Sequence, residues 1–201
     1  MPWIIGGSLR EHRALTRHKL FAALSSLMTE RGFDAITLAD IAAAAGIGRT
    51  GVYNHFPDKE ELLLAFIEHE TQAYLECLEH ALVGVDDPIA QLRTYVRQQT
   101  GLRRVSHPAA GPDLRAVLSC QTQHRLRDHV IGVEEVLRRI LTSGIESGSF
   151  PARAIDTTVP LVHARLSGTD MPDDGPDRER AIDATETFVL RAVGAQVPTL
   201  A

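Results

Sequence analysis

The sequence predicts an all-α protein: a three-helix head followed by a larger C-terminal helical domain, about nine helices in total. Three observations carry this. Apolar residues recur at three- and four-residue steps through long segments, where a strand would alternate. The segments open at cap residues such as Thr37, Asp58 and Asp87 and close at Gly32, Gly46, Pro57, Gly84 and Gly148. No run of strands, internal repeat or low-complexity tract interrupts them. The predicted domains are 1–60 and 61–201.

In order, Ser8 with Glu11 forms a capping box that starts the first helix near Leu9. Its buried stripe is Leu20, Phe21, Leu24, Leu27 and Met28. Arg10, Arg13, Arg17 and Lys19 on the same helix face either phosphates or solvent. Thr37 and Asp40 make a second capping box, and Leu38, Ile41, Ala42 and Ala45 share one face of the helix it starts. Gly46 ends that helix where a left-handed residue is needed. After a short turn a second short helix runs from about Arg49 to Phe56, and Pro57 stops it. Two short helices around a glycine-containing turn form a helix-turn-helix, whose second helix reads the DNA major groove.

Asp58 then caps a long helix carrying Leu62, Leu63, Phe66, Ile67, Ala73, Tyr74, Cys77, Leu78 and Leu82. It is a stiff connector shared by both domains. Asp87-Pro88 is an N-cap with proline at the first helical position, and Ile89, Leu92, Val96 and Leu102 mark the next helix. Residues 106–112 read as a loop. A short helix follows around Leu114, Val117 and Leu118, then a longer one with Leu126, Val130, Val133, Leu137, Ile140, Leu141 and Ile145 buried. Gly148-Ser149-Phe150-Pro151 breaks it. Ile155, Val159, Val162 and Leu166 line a helix bent by Pro160. After a loop over residues 168–177, Ala181, Ile182, Thr185, Phe188, Val189 and Ala192 line the last helix.

Composition bounds the function. The 201 residues are 44% hydrophobic and 23% charged, ordinary for a globular protein with a substantial core. No apolar run approaches the roughly 18 residues that span a bilayer. The opening residues lack the basic n-region and long apolar core of a signal peptide. Cys77 and Cys120 stand alone, which fits a reducing cytoplasm. Net charge is −5, unevenly spread. Residues 1–60 hold Arg10, Arg13, Arg17, Lys19, Arg31, Arg49 and Lys59 against Glu11, Glu30, Asp34, Asp40, Asp58 and Glu60, a net of +1, and the rest carries −6. DNA affinity therefore has to come from a few placed phosphate contacts in each of two subunits, not from a broad basic surface.

At Ala45-Gly46-Ile47, Tyr53, His55-Phe56 and Lys59-Glu60-Glu61-Leu62-Leu63, with 31–37 and 40–42 upstream, the sequence resembles the tetracycline-repressor (TetR) family of regulators. The resemblance runs from about Leu20 to Ala65. It implies phosphate contacts from Thr37, Tyr53, His55 and Lys59, and base-edge contacts from Arg49, Thr50 and Gly51. Arg49 is the candidate for a bidentate bond to guanine. Gly48 stands where the family has Ser or Thr, and Thr50-Gly51 stands where Gly-Thr is common, which bears on the operator sequence. The resemblance also implies a homodimer through the last two helices and a small-molecule effector pocket in the C-terminal domain. Tyr95, Gln99, Arg103, Cys120, Gln121, His124 and His163 are the polar candidates near its apolar stripes.

The leading reading is a cytoplasmic, ligand-responsive repressor that binds double-stranded DNA at a palindromic operator. One alternative is a helix-turn-helix dimer without an effector, whose C-terminal domain binds a protein. The other is an all-α metal-dependent enzyme, suggested by nine histidines. No His-Glu-x-x-His, paired Cys-x-x-Cys, Gly-x-Ser-x-Gly elbow or phosphate-binding glycine loop supports it. No catalytic residue, metal ligand or cofactor is assigned.

Overall fold

A computed structural model describes residues 9–102, 118–167, 172 and 175–195. Among these residues lie eight helices: α1 (Leu9–Arg31), α2 (Leu38–Ala44), α3 (Arg49–Tyr53), α4 (Lys59–Leu82), α5 (Pro88–Leu102), α6 (Cys120–Glu146), α7 (Ile155–Ser167) and α8 (Pro176–Ala192). The all-α prediction holds. The Ser8 cap, Arg103, the loop over 106–112 and the short helix expected around Leu114 and Val117 lie outside the described residues.

The described chain packs as two compact units, 9–69 with 118–126, and 70–102 with 127 onward. The first boundary falls inside α4 at His69, further along than residue 60, because Leu62, Leu63 and Phe66 are buried with the α1–α3 core. That core is Leu20, Leu24, Ile36, Ile41, Val52 and their neighbours. Each cap read from the sequence at the two long helices is made: Asp58 Oδ1 accepts from Glu61 N (2.8 Å) and Asp87 Oδ2 from Ala90 N (2.9 Å).

In the first unit the start of α6 is tied to the start of α4. Ser119 donates its hydroxyl (2.6 Å) and its backbone N–H (3.3 Å) to the Glu60 carboxylate, Thr122 donates its hydroxyl to the same group, and Arg125 pairs with Glu61. Ser119 and Thr122 hold the Glu60 carboxyl below its ordinary range.

The second unit has its own core, with Leu78, Leu92, Tyr95, Val96, Leu137, Leu141, Val159 and Val193 almost wholly buried. Helices α5 and α8 are joined by a buried carboxylate. Glu186 accepts from Arg93 Nη1 (2.5 Å) and Arg97 Nε (3.0 Å), and Arg97 also reaches Asp183 at 2.6 Å. Phe188, one of the residues expected to line the last helix, is 53% exposed. The face that packs is Ile182, Thr185, Glu186, Val189 and Leu190. A polar residue at 186 hid that register.

Gly144, inside α6, is required by a close approach. The ring of Phe150, itself 2% exposed, occupies the space where a Cβ on Gly144 would stand. Alanine there gains about 1 kcal/mol of helix propensity but forces a buried ring out of place, which outweighs it. Gly144→Ala is expected to lower stability by about 2 kcal/mol, a fall of roughly 4–8 °C in Tm by thermal denaturation. Gly132→Ala, whose Cβ would meet only the end of the Leu75 side chain at 3.3 Å, should change far less.

Candidate nucleic-acid interface

The interface is built from the N-terminus of α2 upward. Thr37 is the N-cap, extended at φ −110° and ψ 160°. Its hydroxyl accepts from Asp40 N (3.2 Å) and donates to Asp40 Oδ2 (2.6 Å), and its backbone N–H donates to the same oxygen (2.9 Å). The capping box is thus complete. Those hydrogen bonds hold the Asp40 carboxyl below its ordinary range. Thr37 is exposed, but its N–H and O–H are both committed to Asp40, so a phosphate must compete with that carboxylate.

The turn follows. Gly46 has φ +66°, and the N–H groups of Gly46 and Ile47 return to Ala43 O (3.1 Å) and Ala42 O (2.9 Å), closing α2. Gly48 caps α3 with no side-chain hydrogen bond. In α3, Val52 is fully buried, while Arg49, Thr50 and Tyr53 are exposed. No hydrogen bond or ion pair among the described residues engages the Arg49 guanidinium. Gly51 faces back toward the turn: a Cβ there would lie 3.2 Å from Ile47 Cγ2.

Lys59, expected to meet a phosphate, is engaged within the chain. Its ammonium donates to Phe33 O (3.0 Å), Asp34 O (3.3 Å) and Ile36 O (3.0 Å), and lies 4.7 Å from the centre of the Phe33 ring. An ammonium has three N–H bonds, so all are used. The lysine clamps the segment that delivers Thr37 to the start of α2.

His55, half-buried just after α3, packs beside Phe56 with ring centroids 6.4 Å apart. Its imidazole is held below the ordinary range, first by burial and then by Arg13, Arg17 and His12 of α1. The Arg17 guanidinium stands over two rings, 5.5 Å from Phe21 and 5.6 Å from Phe56. The sequence left Arg13 and Arg17 between solvent and DNA, and gave no sign that Arg17 and His55 share the Phe56 ring. Only spacing across two helices could have shown it.

The effector candidates divide between the units. Cys120, Gln121 and His124 are exposed on the first turns of α6, in the first unit. Tyr95, Gln99 and His163 belong to the second unit. Tyr95 is fully buried, and Gln99 Nε2 donates weakly to its hydroxyl (3.4 Å). Tyr74, read only as part of an apolar stripe, has a buried hydroxyl with no hydrogen-bond partner. Burial pushes both phenols up. A separate open groove on α8 is lined by Ala184, Thr187, Phe188 and Ala192, with Asp183 and Arg191 at its edges.

Comparison with known proteins places the head among these regulators. Residues 20–66 match the family described as bacterial regulatory proteins, tetR family. The HTH-type transcriptional regulator CymR of Pseudomonas putida is 43% identical over 53 residues, 26% of this chain and 26% of CymR's own length. A crystal structure of a tetR-family regulatory protein from Rhodococcus RHA1 superposes with a TM-score of 0.75 at 20% identity, covering 90% of this chain and 98% of the other. RolR, solved in complex with resorcinol, gives a TM-score of 0.60 at 25% identity over 93% of this chain and 91% of RolR.

Proposed function

We propose, from the premise that this chain is a DNA-binding transcriptional regulator of the TetR family, that it is a repressor which binds a palindromic operator as a homodimer and is released by a small-molecule effector. Regulators of this family are not enzymes. The observation that carries the reading is the asymmetry of α3. Val52 anchors one side in the core, while Arg49, Thr50 and Tyr53 stand outward with the Arg49 fork uncommitted. A planar, unengaged guanidinium at the start of a recognition helix suits the O6/N7 edge of guanine. Thr37, Tyr53 and His55 are assigned to phosphates, and the cytoplasm is the compartment where such a protein meets its operator.

The dimer is placed on α7 and α8. Leu161 is 66% exposed and Phe188 53%, with Arg165 over the Phe188 ring at 5.6 Å and small alanines beside it on α8. A second copy of the same face covers these groups under two-fold symmetry. The effector is assigned to the second unit near Tyr95, Gln99 and the unpartnered Tyr74 hydroxyl, with His163 on α7. RolR's resorcinol supports a small-molecule effector as a class and not that compound.

The test is a titration of the purified protein into labelled duplex from upstream of its own gene, at two salt concentrations, against a scrambled duplex. Light scattering supplies the stoichiometry. Saturable binding of the native duplex by two chains is expected, with a salt slope that counts phosphate contacts. A compound that binds the protein must weaken operator binding by the factor that operator weakens its own. Equal weak binding to both duplexes by a monomer overturns the reading.

A further inference from the structure

Two basic side chains from separate elements, Arg17 of α1 and His55, stand at the same aromatic ring on the first unit. Arg13 and Arg17 are exposed on α1 one turn apart, so they share one face of that helix, and His55 follows α3. Arg17 and His55 both flank the buried Phe56 ring, the guanidinium at 5.6 Å and the imidazole at 6.4 Å between centroids. Arg17 is also held over Phe21, so its long side chain is already placed. The charged neighbours that bear on His55 are Arg13, Arg17 and His12, all of them cationic or able to become so. In a chain of net charge −5, gathering these groups costs repulsion that an anion relieves.

We propose that Arg13 and Arg17 of α1, with His55, form a phosphate clamp for the DNA backbone beside the base-reading helix, and that each head takes up a proton at His55 when the phosphate arrives. This rests on the DNA-binding reading above and extends it to a helix outside the helix-turn-helix. The direction follows from the surroundings. In free protein the imidazole is held below its ordinary value of 6.5, so it is mostly neutral at pH 7. An incoming phosphodiester is an opposite charge and favours the imidazolium. Binding therefore consumes protons, and affinity rises as pH falls from the value in the complex toward that of the free head.

The probe is a duplex recovered by the full-length protein from a randomised pool. Its affinity is measured by fluorescence anisotropy between pH 5.5 and 8 and across a salt series. Wild type is expected to tighten about fivefold or more per head from pH 8 to pH 6. His55→Gln should remove that dependence, and Arg17→Gln should lower the salt slope by about one per head at unchanged pH dependence of folding. Arg13→Gln repeats the salt measurement where Arg17→Gln melts early. A duplex bound with pH-independent affinity, the same pH dependence in His55→Gln as in wild type, or unaltered salt slopes in both arginine variants overturns the clamp and leaves the regulator reading intact. Recovery of no duplex overturns both.

Discussion

Replacing Arg49 by alanine is expected to weaken operator binding by on the order of 10²-fold or more while leaving Tm unchanged. The residue is exposed at the first position of α3, and nothing among the described residues holds its guanidinium. Removing it therefore takes away no internal contact, and the whole effect falls on recognition. A bidentate pair to guanine discriminates by about 1–3 kcal/mol, and two heads of a dimer act together. The measurement is a competition titration of Arg49→Ala against wild type on operator and on scrambled duplex. Loss of preference between the two duplexes, with weak binding retained, is the expected signature. A uniform loss on both would move Arg49 from base reading to phosphate contact.

Lys59→Met should act the other way round, on stability first. The methionine keeps much of the apolar stem but removes three donors from Phe33 O, Asp34 O and Ile36 O, two of them part-buried. Hydrogen bonds to a charged group contribute about 1.5–3 kcal/mol each, less where solvent can replace the partner. A loss of about 3 kcal/mol is expected, seen as a Tm lower by roughly 6–12 °C. Arginine at this position should not restore it, because its planar fork cannot place three donors as a compact ammonium does. DNA binding of Lys59→Met, measured well below its Tm, should change less than that of Arg49→Ala. Equal stability with a large loss of binding and of salt slope would return Lys59 to the phosphate backbone.

The same contrast shows how far the chain could be read. Both cations lie in one short motif, and the family resemblance of that motif implied DNA contacts for both. Local pattern fixes which helix each residue starts, because capping and 3.6-residue periodicity depend on neighbours a few positions away. It does not fix what lies across from a side chain. Three carbonyls from residues 33, 34 and 36 meet Lys59 from more than twenty positions upstream, and no periodicity signals a backbone oxygen. Gly51 is similar: only the packed turn reveals that its Cα faces the Ile47 methyl.

By itself, then, the sequence determined the helices, their caps and the helix-turn-helix turn at Gly46, all of them short-range or contiguous signals. The tertiary structure decided which groups meet. It brought Arg17 and His55 to the same Phe56 ring, tied Glu60 to Ser119 and Thr122, set Glu186 between two arginines and turned Phe188 outward. The physical reason is that side-chain partners are chosen by packing across distant segments. Burial, desolvation and charge act through space, whereas helix propensity acts along the chain.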